Sequence, residues 1–288
     1  MNIFVINFKK MILFLSVLAI AAAAGGVCSF AVENAKKNDG ISCPIVMYHS
    51  ILPDKDKAGD YIALKEQFTS DLDYLLGHGY SPVTVQSLID YVYEDAPLPE
   101  KPVMLTFDDG FYNNYTYVYP EILERGVPVV ISIVGSYTES YTKTDEANPM
   151  YSYLRRKDIR EMEKSGLVEF QNHSYDLHTI NAQKCASMKL RRESKDQYRE
   201  RLRGDLEQVQ KLLYEETGRY PTAFTYPFGK ISNESLEVVK EMGFLSSLSC
   251  CEGMNYITKS PECLYMLKRY NRPAKYTTEE FMKKLLKP

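Results

Sequence analysis

The sequence contains no tryptophan, only four histidines and no stripe of positive charge. Its 35 lysines and arginines are dispersed and are outnumbered by 38 acidic residues, which argues against a nucleic-acid partner. The six cysteines lack C-x-x-C spacing, and this excludes the usual structural zinc knuckle. There is no internal repeat and no low-complexity domain. The 23 tyrosines are therefore the main aromatic groups available to stack on a sugar.

One strongly apolar segment lies near the N-terminus. Lys9 and Lys10 precede an apolar run over 11–21 and then an Ala/Gly-rich stretch. This is the charge and hydropathy pattern of a secretory signal, and the run is nearly long enough for a single membrane anchor. We predict that 1–31 are a signal peptide or N-terminal membrane anchor and that 32–43 are a polar linker. The remainder is then secreted or extracytoplasmic and meets a membrane only through this segment.

From residue 44 onward, short apolar runs alternate with amphipathic segments. The runs at 102–105 and 127–134 have the composition of buried parallel strands. Apolar residues at helical spacing predict a long helix over 202–217. Regular alternation of strands and helices predicts βα units around a parallel sheet, in a single domain over 44–288.

Some stretches fit this alternation less clearly. Residues 135–151 are predicted to be a long polar loop that forms the lip of a binding groove. Residues 184–198 are predicted to be charged and mobile. A last strand is predicted over 264–269, and Thr277 with Glu280 forms a capping box that opens a final helix.

Two adjacent acids, Asp108 and Asp109, directly follow the apolar run at 102–105 and Thr106-Phe107. They lie at the C-terminal end of a strand, where α/β folds place their chemistry. Adjacent carboxylates repel each other, so a cation or a shared proton must accompany them. Taken alone, Asp-Asp-Gly is also typical of an ordinary strand-ending turn.

Two of the four histidines, His173 and His178, follow a strand predicted at 167–170. Five residues apart on a helix they would point in different directions, so they can converge only in a loop or turn. Two imidazoles and a carboxylate with an open fourth position form the ligand set of a hydrolytic zinc site. The alternative is two unrelated capping or surface histidines.

Two more stretches follow strands at the same edge. The turn 226–229 contains proline and glycine, which bring backbone N–H groups close to a ligand; in isolation this pattern favours a plain strand-to-helix turn. His49 follows a short strand at 44–48. His78, between two glycines, is interpreted as a helix C-cap without a chemical role.

Together these motifs resemble the polysaccharide deacetylases, the NodB-homology or carbohydrate esterase family 4 enzymes. Residues 106–110 resemble the first motif of the family. His173 and His178 resemble the second, with one residue more between them than in most members. This spacing, with 47–51 and 226–229, is similar to the branch that de-N-acetylates poly-β-1,6-N-acetylglucosamine in biofilms.

The resemblance implies a distorted (β/α) barrel of the NodB-homology type, with fewer than eight regular strands. It also implies a divalent metal, most often Zn²⁺. The implied roles are metal ligand for Asp109, His173 and His178, general base for Asp108, general acid for His49, and oxyanion donor, through its backbone N–H, for Phe228.

Three departures from the family pattern bear on this assignment. An arginine often opens the third motif and supports the base, but Thr225 stands there; Arg269 or Arg272 is the candidate replacement, with Tyr226 as a further supporting residue. The tryptophan of the fourth motif is absent. The last motif, Leu-x-Leu-His, is absent too, because no histidine follows His178.

The sequence thus predicts an extracellular metal-dependent hydrolase of linear amides that removes N-acetyl groups from N-acetylglucosamine polysaccharide. The β-1,6-linked polymer is the preferred substrate, and peptidoglycan and chitin oligomers remain open. A catalytically inactive carbohydrate-binding protein on the same fold is the alternative, followed by a metal-free structural barrel. The paired acids and histidines argue against the inactive carbohydrate-binding protein, because buried unpaired charges are costly. No oligomeric state is predicted.

Overall fold

The computed structural model describes residues 40–180 and 185–287. The predicted signal or anchor over 1–31 lies outside the described residues, as does most of the predicted linker. Strand β1 (Ile41–Cys43) falls inside that linker and pairs antiparallel with β11 (Asn255–Ile257). The folded unit therefore starts at Ile41 rather than at residue 44. Within the described residues, no helix has both the length and the apolar character needed to cross a membrane.

Eight strands form one curled parallel sheet. In chain order they are β2 (Ile45–Tyr48), β5 (Ser81–Val83), β6 (Pro102–Phe107), β7 (Val129–Ile133), β8 (Val168–Asn172), β9 (Ala223–Thr225), β10 (Ser246–Leu248) and β12 (Tyr270–Asn271). They pair in the order β10-β9-β8-β7-β6-β2-β12, and β5 pairs with the first half of β6. A parallel bridge between Leu248 and Leu267, just before β12, links the two ends of the sheet. The predicted distorted barrel is confirmed, but the described residues form eight strands where fewer than eight regular strands were predicted; β12 has only two residues, and β5 pairs only with β6.

Helices cover the outside of the sheet, and a second small sheet joins β3 (Ser50–Leu52) to β4 (Ile62–Leu64). The helices are α1 (Lys65–Gly77), α2 (Val85–Tyr93), α3 (Tyr119–Arg125), α4 (Gly135–Thr144), α5 (Arg156–Glu163), α6 (Lys195–Thr217), α7 (Ser235–Glu241) and α8 (Thr278–Leu285). The predicted capping box opens α8, because Thr277 accepts from the Glu280 N–H and Glu280 accepts from the Thr277 N–H.

Three predicted segments are wrong. Most of the predicted polar loop at 135–151 is helix α4, which shows no apolar stripe because only Gly135 and Thr138 are buried along it. Helix α6 begins at Lys195, inside the stretch predicted to be mobile, and buries Tyr198 in its first turn. Within the strand predicted over 264–269 the structure has a single bridge at Leu267, because Met266 adopts a left-handed φ of 60° that breaks extended chain; the two-residue β12 begins one residue after the predicted end.

The barrel interior is apolar at one end and polar at the other. Its apolar layer includes one residue from each of several strands, among them Met104, Val130, Ala223 and Leu248. Two positions further along the strands stand Thr106, Ser132 and Thr225, and the last two share a hydroxyl hydrogen bond of 2.7 Å. Because side chains alternate along a strand, Asp108 continues the inward-facing series of Met104 and Thr106.

Candidate active site

Asp109, His173 and His178 form a cluster at the C-terminal edge of the sheet, with ligand atoms within 4.8 Å of one another. Oδ1 of Asp109 lies 3.0 Å from Nε2 of His178 and 3.4 Å from Nε2 of His173. This oxygen is buried and has no hydrogen-bond partner. A buried carboxylate oxygen without a donor is costly, and two imidazole nitrogens converge on it. The donor set therefore fits a divalent metal.

The backbone at this strand end explains why the motif reads Asp-Asp-Gly. Asp109 and Gly110 both adopt left-handed conformations, with φ of 71° and 74°. Aspartate tolerates this region better than most residues, and glycine tolerates it freely. A Cβ on Gly110 would also lie 2.9 Å from a side-chain methyl of Ile133. The sharp turn brings two consecutive carboxylates to the same rim of the barrel.

His173 is held in one tautomer by its neighbour on β9. Its Nδ1 lies 2.8 Å from the carbonyl oxygen of Thr225. Because a carbonyl can only accept, Nδ1 carries a proton, and Nε2, which faces Asp109, is the nitrogen available to bind a metal. An imidazole fixed in this way has the orientation and the free nitrogen of a metal ligand.

Arg269 supplies the cation that the acid pair requires. Its two Nη atoms donate to the two carboxylate oxygens of Asp108 at 2.6 and 2.8 Å, and its Nε donates to the Ser249 carbonyl at 2.8 Å. Both side chains of the ion pair are buried. Burial raises the pKa of Asp108, but the charge and hydrogen bonds of Arg269, together with the nearby His173 and His49, outweigh burial and hold the pKa below its ordinary value. Asp108 is therefore ionised at neutral pH, as a general base must be.

Arg272, the other candidate, lies in a second buried pair away from these carboxylates. Its Nε and Nη2 donate to Asp71 at 2.7 and 3.1 Å, and the Tyr48 hydroxyl donates to the same carboxylate. Of the two candidate replacements for the missing arginine of the third motif, the structure thus brings Arg269, and not Arg272, to Asp108. The second pair joins β12 and α1 and serves as a matched structural control.

Replacing Arg269 by methionine should lower the free energy of unfolding by about 3–5 kcal/mol, because Asp108 is left buried without its cation. Denaturant unfolding measures the loss. The pKa of Asp108 is lowered in the folded chain, so the stabilisation is present above the ordinary pKa of aspartate. It is lost as the pH falls through the lowered value, and the two unfolding curves should approach each other in acid.

The control for this prediction is Arg272→Met, which breaks the other buried pair. We expect a similar loss of stability but near-normal turnover per folded molecule, whereas Arg269→Met should also lose turnover. Equal turnover per folded molecule in Arg269→Met and Arg272→Met would contradict the assignment of Arg269 as the residue that supports Asp108.

His49 lies beside the same carboxylates, after β2. Its ring meets the exposed Tyr61 edge-on at 4.9 Å between centroids, and its carbonyl accepts from Asn114 at 3.0 Å. Its Nδ1 is buried and has no partner. Burial, together with the charges of Arg269 and His173, lowers the pKa of His49 below its ordinary value, although Asp108 and Asp109 act in the opposite direction. The imidazole is therefore neutral at neutral pH and can take up a proton during a reaction.

The turn after β9 carries one exposed and one buried aromatic residue. Phe228 adopts a left-handed φ of 55° and places its ring 4.3 Å from that of His178. Tyr226, predicted as a supporting residue, points away from the carboxylates: its ring packs on Phe224, and its hydroxyl accepts from Ser235 at 3.2 Å. The Tyr226 side chain anchors the turn from behind rather than lining the site.

An aromatic wall borders the cluster on the α4 side. The Tyr137 ring lies 6.2 Å from His178 and 4.5 Å from Tyr153, which stacks on Phe111 at 4.8 Å. Burial, and then the charge of Asp109, raise the pKa of both Tyr137 and Tyr153, so their hydroxyls stay neutral donors. The sequence showed that tyrosine is abundant but offered no periodic signal that places these rings together.

A curled parallel sheet with an Asp-His-His cluster and an arginine-bound aspartate at its C-terminal rim defines an α/β barrel with a candidate hydrolytic site. The pattern of the family described as polysaccharide deacetylase matches residues 95–246, more than half of the chain. The chain belongs to this family, and the resemblance seen in its motifs is confirmed.

Two relatives carry the same description, poly-β-1,6-N-acetyl-D-glucosamine N-deacetylase. The protein from Escherichia coli strain K12 is 30% identical over 200 residues, which is 63% of this chain and 29% of that protein. The protein from Staphylococcus aureus strain MSSA476 is 26% identical over 186 residues, which is 64% of this chain and 59% of that protein. The match thus spans less than two thirds of either relative.

Solved structures share the fold. A de-N-acetylase from Aggregatibacter actinomycetemcomitans superposes with a TM-score of 0.73 at 24% identity, covering 85% of this chain and all of that one. IcaB from Ammonifex degensii superposes with a TM-score of 0.67 at 25% identity, covering 82% of this chain and 93% of that one. Both likenesses support the distorted barrel.

Proposed function

We propose that this chain is a metal-dependent de-N-acetylase that acts outside the cytoplasm on N-acetylglucosamine polysaccharide and releases acetate. The observation that carries the proposal is the arginine-bound Asp108 directly beside the cluster of Asp109, His173 and His178. Family membership supports the reaction class. The names of the two relatives support poly-β-1,6-N-acetylglucosamine as the substrate, and the N-terminal sequence pattern supports export.

Asp109, His173 and His178 would hold the metal, and two imidazoles with one carboxylate suit Zn²⁺. The unpartnered Oδ1 of Asp109 supports this fit. When bound, the metal supplies a Lewis acid that polarises the amide carbonyl and lowers the pKa of water to about 7.

Asp108 would accept the proton of the attacking water. Its carboxylate is ionised and held at both oxygens by Arg269, so it cannot rotate away from the cluster. The ion pair thus keeps the base both charged and oriented. A positioned general base contributes about 10²–10⁴-fold in rate.

His49 and Phe228 would serve the leaving group and the oxyanion. His49 is neutral at rest, so it must take up a proton before it donates one to the departing sugar nitrogen. Asp108, which would hold the proton of the water, is near enough to raise the pKa of His49. The Phe228 backbone N–H would donate to the oxyanion, and one such donor is worth roughly 3–4 kcal/mol.

The alternative of an inactive sugar-binding protein rested on the missing arginine of the third motif and on the missing fourth and last motifs. Arg269 forms a buried ion pair with Asp108, so the missing arginine no longer favours loss of activity. The missing tryptophan leaves the sugar contacts to other rings, and the wall of Tyr137, Tyr153 and Phe111 provides them beside the cluster.

Acetate release tests the proposal and the choice of glycan together. The purified chain with added Zn²⁺ is incubated with β-1,6-linked N-acetylglucosamine oligomers, with chitin oligomers and with peptidoglycan. Release should be fastest from the β-1,6-linked oligomers and absent from Asp108→Asn. Faster release from chitin or peptidoglycan would overturn the substrate assignment alone, and no release from any of the three would contradict the activity.

A further inference from the structure

The loop that carries both histidines is tied to helix α6 by one carboxylate. Asp205 accepts the backbone N–H of Tyr175 at 2.7 Å through Oδ1 and that of Asp176 at 2.9 Å through Oδ2. Its side chain projects from the buried face of α6 and is only 9% exposed. Both carboxylate oxygens are thus used on two consecutive amides, midway between His173 and His178.

The histidine spacing explains why such a tie is needed. Residues five apart converge on one ligand only if the intervening chain follows a single tight path. Asn172 holds the start of that path, accepting the Ser174 N–H at 2.9 Å and donating to the Leu206 carbonyl at 3.0 Å. Asp205 binds the middle of the loop, at the amides of Tyr175 and Asp176. Adjacent residues of α6 therefore contact both parts of the loop.

Helix α4 closes the opposite side of the loop. The Gly135 N–H donates to the Ser174 carbonyl at 3.0 Å, and a Cβ on Gly135 would lie 2.6 Å from the Tyr175 ring. The loop is therefore packed between two helices. Among the residues that the structure describes, the charged group buried against the loop amides is Asp205 on the α6 side, and burying a carboxylate is costly unless its hydrogen bonds compensate.

We infer that Asp205 is a positioning residue for the metal site: it fixes the loop between His173 and His178 so that both Nε2 atoms converge on Asp109. The inference rests on the proposed metal-dependent function, but it concerns a residue that touches neither metal nor substrate. Residues that support metal ligands from outside typically change metal affinity by 10–100-fold when they are removed, and Asp205 supports both histidines through the two loop amides between them.

Metal affinity of the full chain tests the inference, measured by zinc competition with a chromophoric chelator. Asp205→Ala removes both acceptors, and its zinc affinity should fall by about 10–100-fold. Asp205→Asn keeps one acceptor oxygen, so its zinc affinity should lie between that of Asp205→Ala and that of the unsubstituted chain. This partial rescue distinguishes the loss of particular hydrogen bonds from a general loss of packing.

The matched control is Asp158→Asn. Asp158 is also buried on a helix and also accepts a backbone N–H, that of Arg155 at 2.9 Å, but it does not touch the histidine loop. Its zinc affinity should stay at the unsubstituted level. Unchanged affinity in folded Asp205→Ala, or an equal loss in Asp158→Asn, would overturn the inference.

Hydrogen exchange gives a readout that does not depend on activity. The amides of Tyr175 and Asp176 should exchange faster in Asp205→Ala than in the unsubstituted chain, with or without zinc; equal exchange would overturn the inference. If the unsubstituted chain binds zinc but releases no acetate, the proposed function fails and the role of Asp205 stands. If it binds no zinc, the proposed metal site and the role of Asp205 both fail.

Discussion

Replacing Asp108 by asparagine should lower acetate release by about 10²–10⁴-fold while the chain keeps its metal. An amide cannot take a proton from water at neutral pH, and Asp108 is the one of the two adjacent acids that is bound by arginine rather than facing the histidines. Steady-state acetate release, with metal content measured on the same sample, separates loss of the base from loss of the metal.

Stability has to be controlled in this experiment, because Asp108→Asn leaves Arg269 buried without its carboxylate. Asp71→Asn is the matched variant: it makes the same replacement in the other buried pair, where Asp71 accepts from Arg272 at 2.7 Å. We expect comparable destabilisation in the two variants but a large loss of turnover only in Asp108→Asn. Equal turnover per folded molecule would contradict the general-base assignment.

Replacing Asp109 should remove the metal and bring acetate release to background. Both histidine Nε2 atoms face its Oδ1, so the carboxylate is the only negative charge in the ligand set. Asp109→Ala removes the oxygens. Asp109→Asn is the variant that best protects the fold, since asparagine also tolerates the left-handed φ of 71° found here. Metal analysis after dialysis measures the effect.

A pair of histidine variants controls this second prediction. His178→Ala should lose the metal as Asp109→Ala does. His78→Ala should retain it, because His78 lies at the end of α1, where its ring stacks on Tyr74 at 3.9 Å. Finding Asp109→Ala loaded with one metal per chain would refute the ligand assignment, whatever its activity.

The parts of the site that sequence could predict are those that directly follow strands. Asp108 and Asp109 come after β6, and His173 comes after β8. The C-terminal ends of parallel strands meet at one edge, so the alternation of strands and helices was enough to expect these groups together. His49 and the turn at Phe228 follow from the same rule.

The remaining parts depend on long-range closure of the barrel. Arg269 meets a carboxylate 161 residues earlier in the chain, because β12 pairs with β2 and the sheet curls round. The local sequence does not indicate which of Arg269 and Arg272, three residues apart, binds Asp108. Asp205 did leave a signal: it stands among Leu202, Leu206 and Val209 on the apolar face of α6, where an acid needs a buried partner.

The central claim is that a metal held by Asp109, His173 and His178 serves hydrolysis of an N-acetyl group. Acetate release from β-1,6-linked N-acetylglucosamine oligomers, followed through chelation and reloading of one preparation, tests it most directly. We expect release to cease on chelation and to return with about one equivalent of Zn²⁺ per chain. Undiminished release from chain shown to be free of metal would contradict the account.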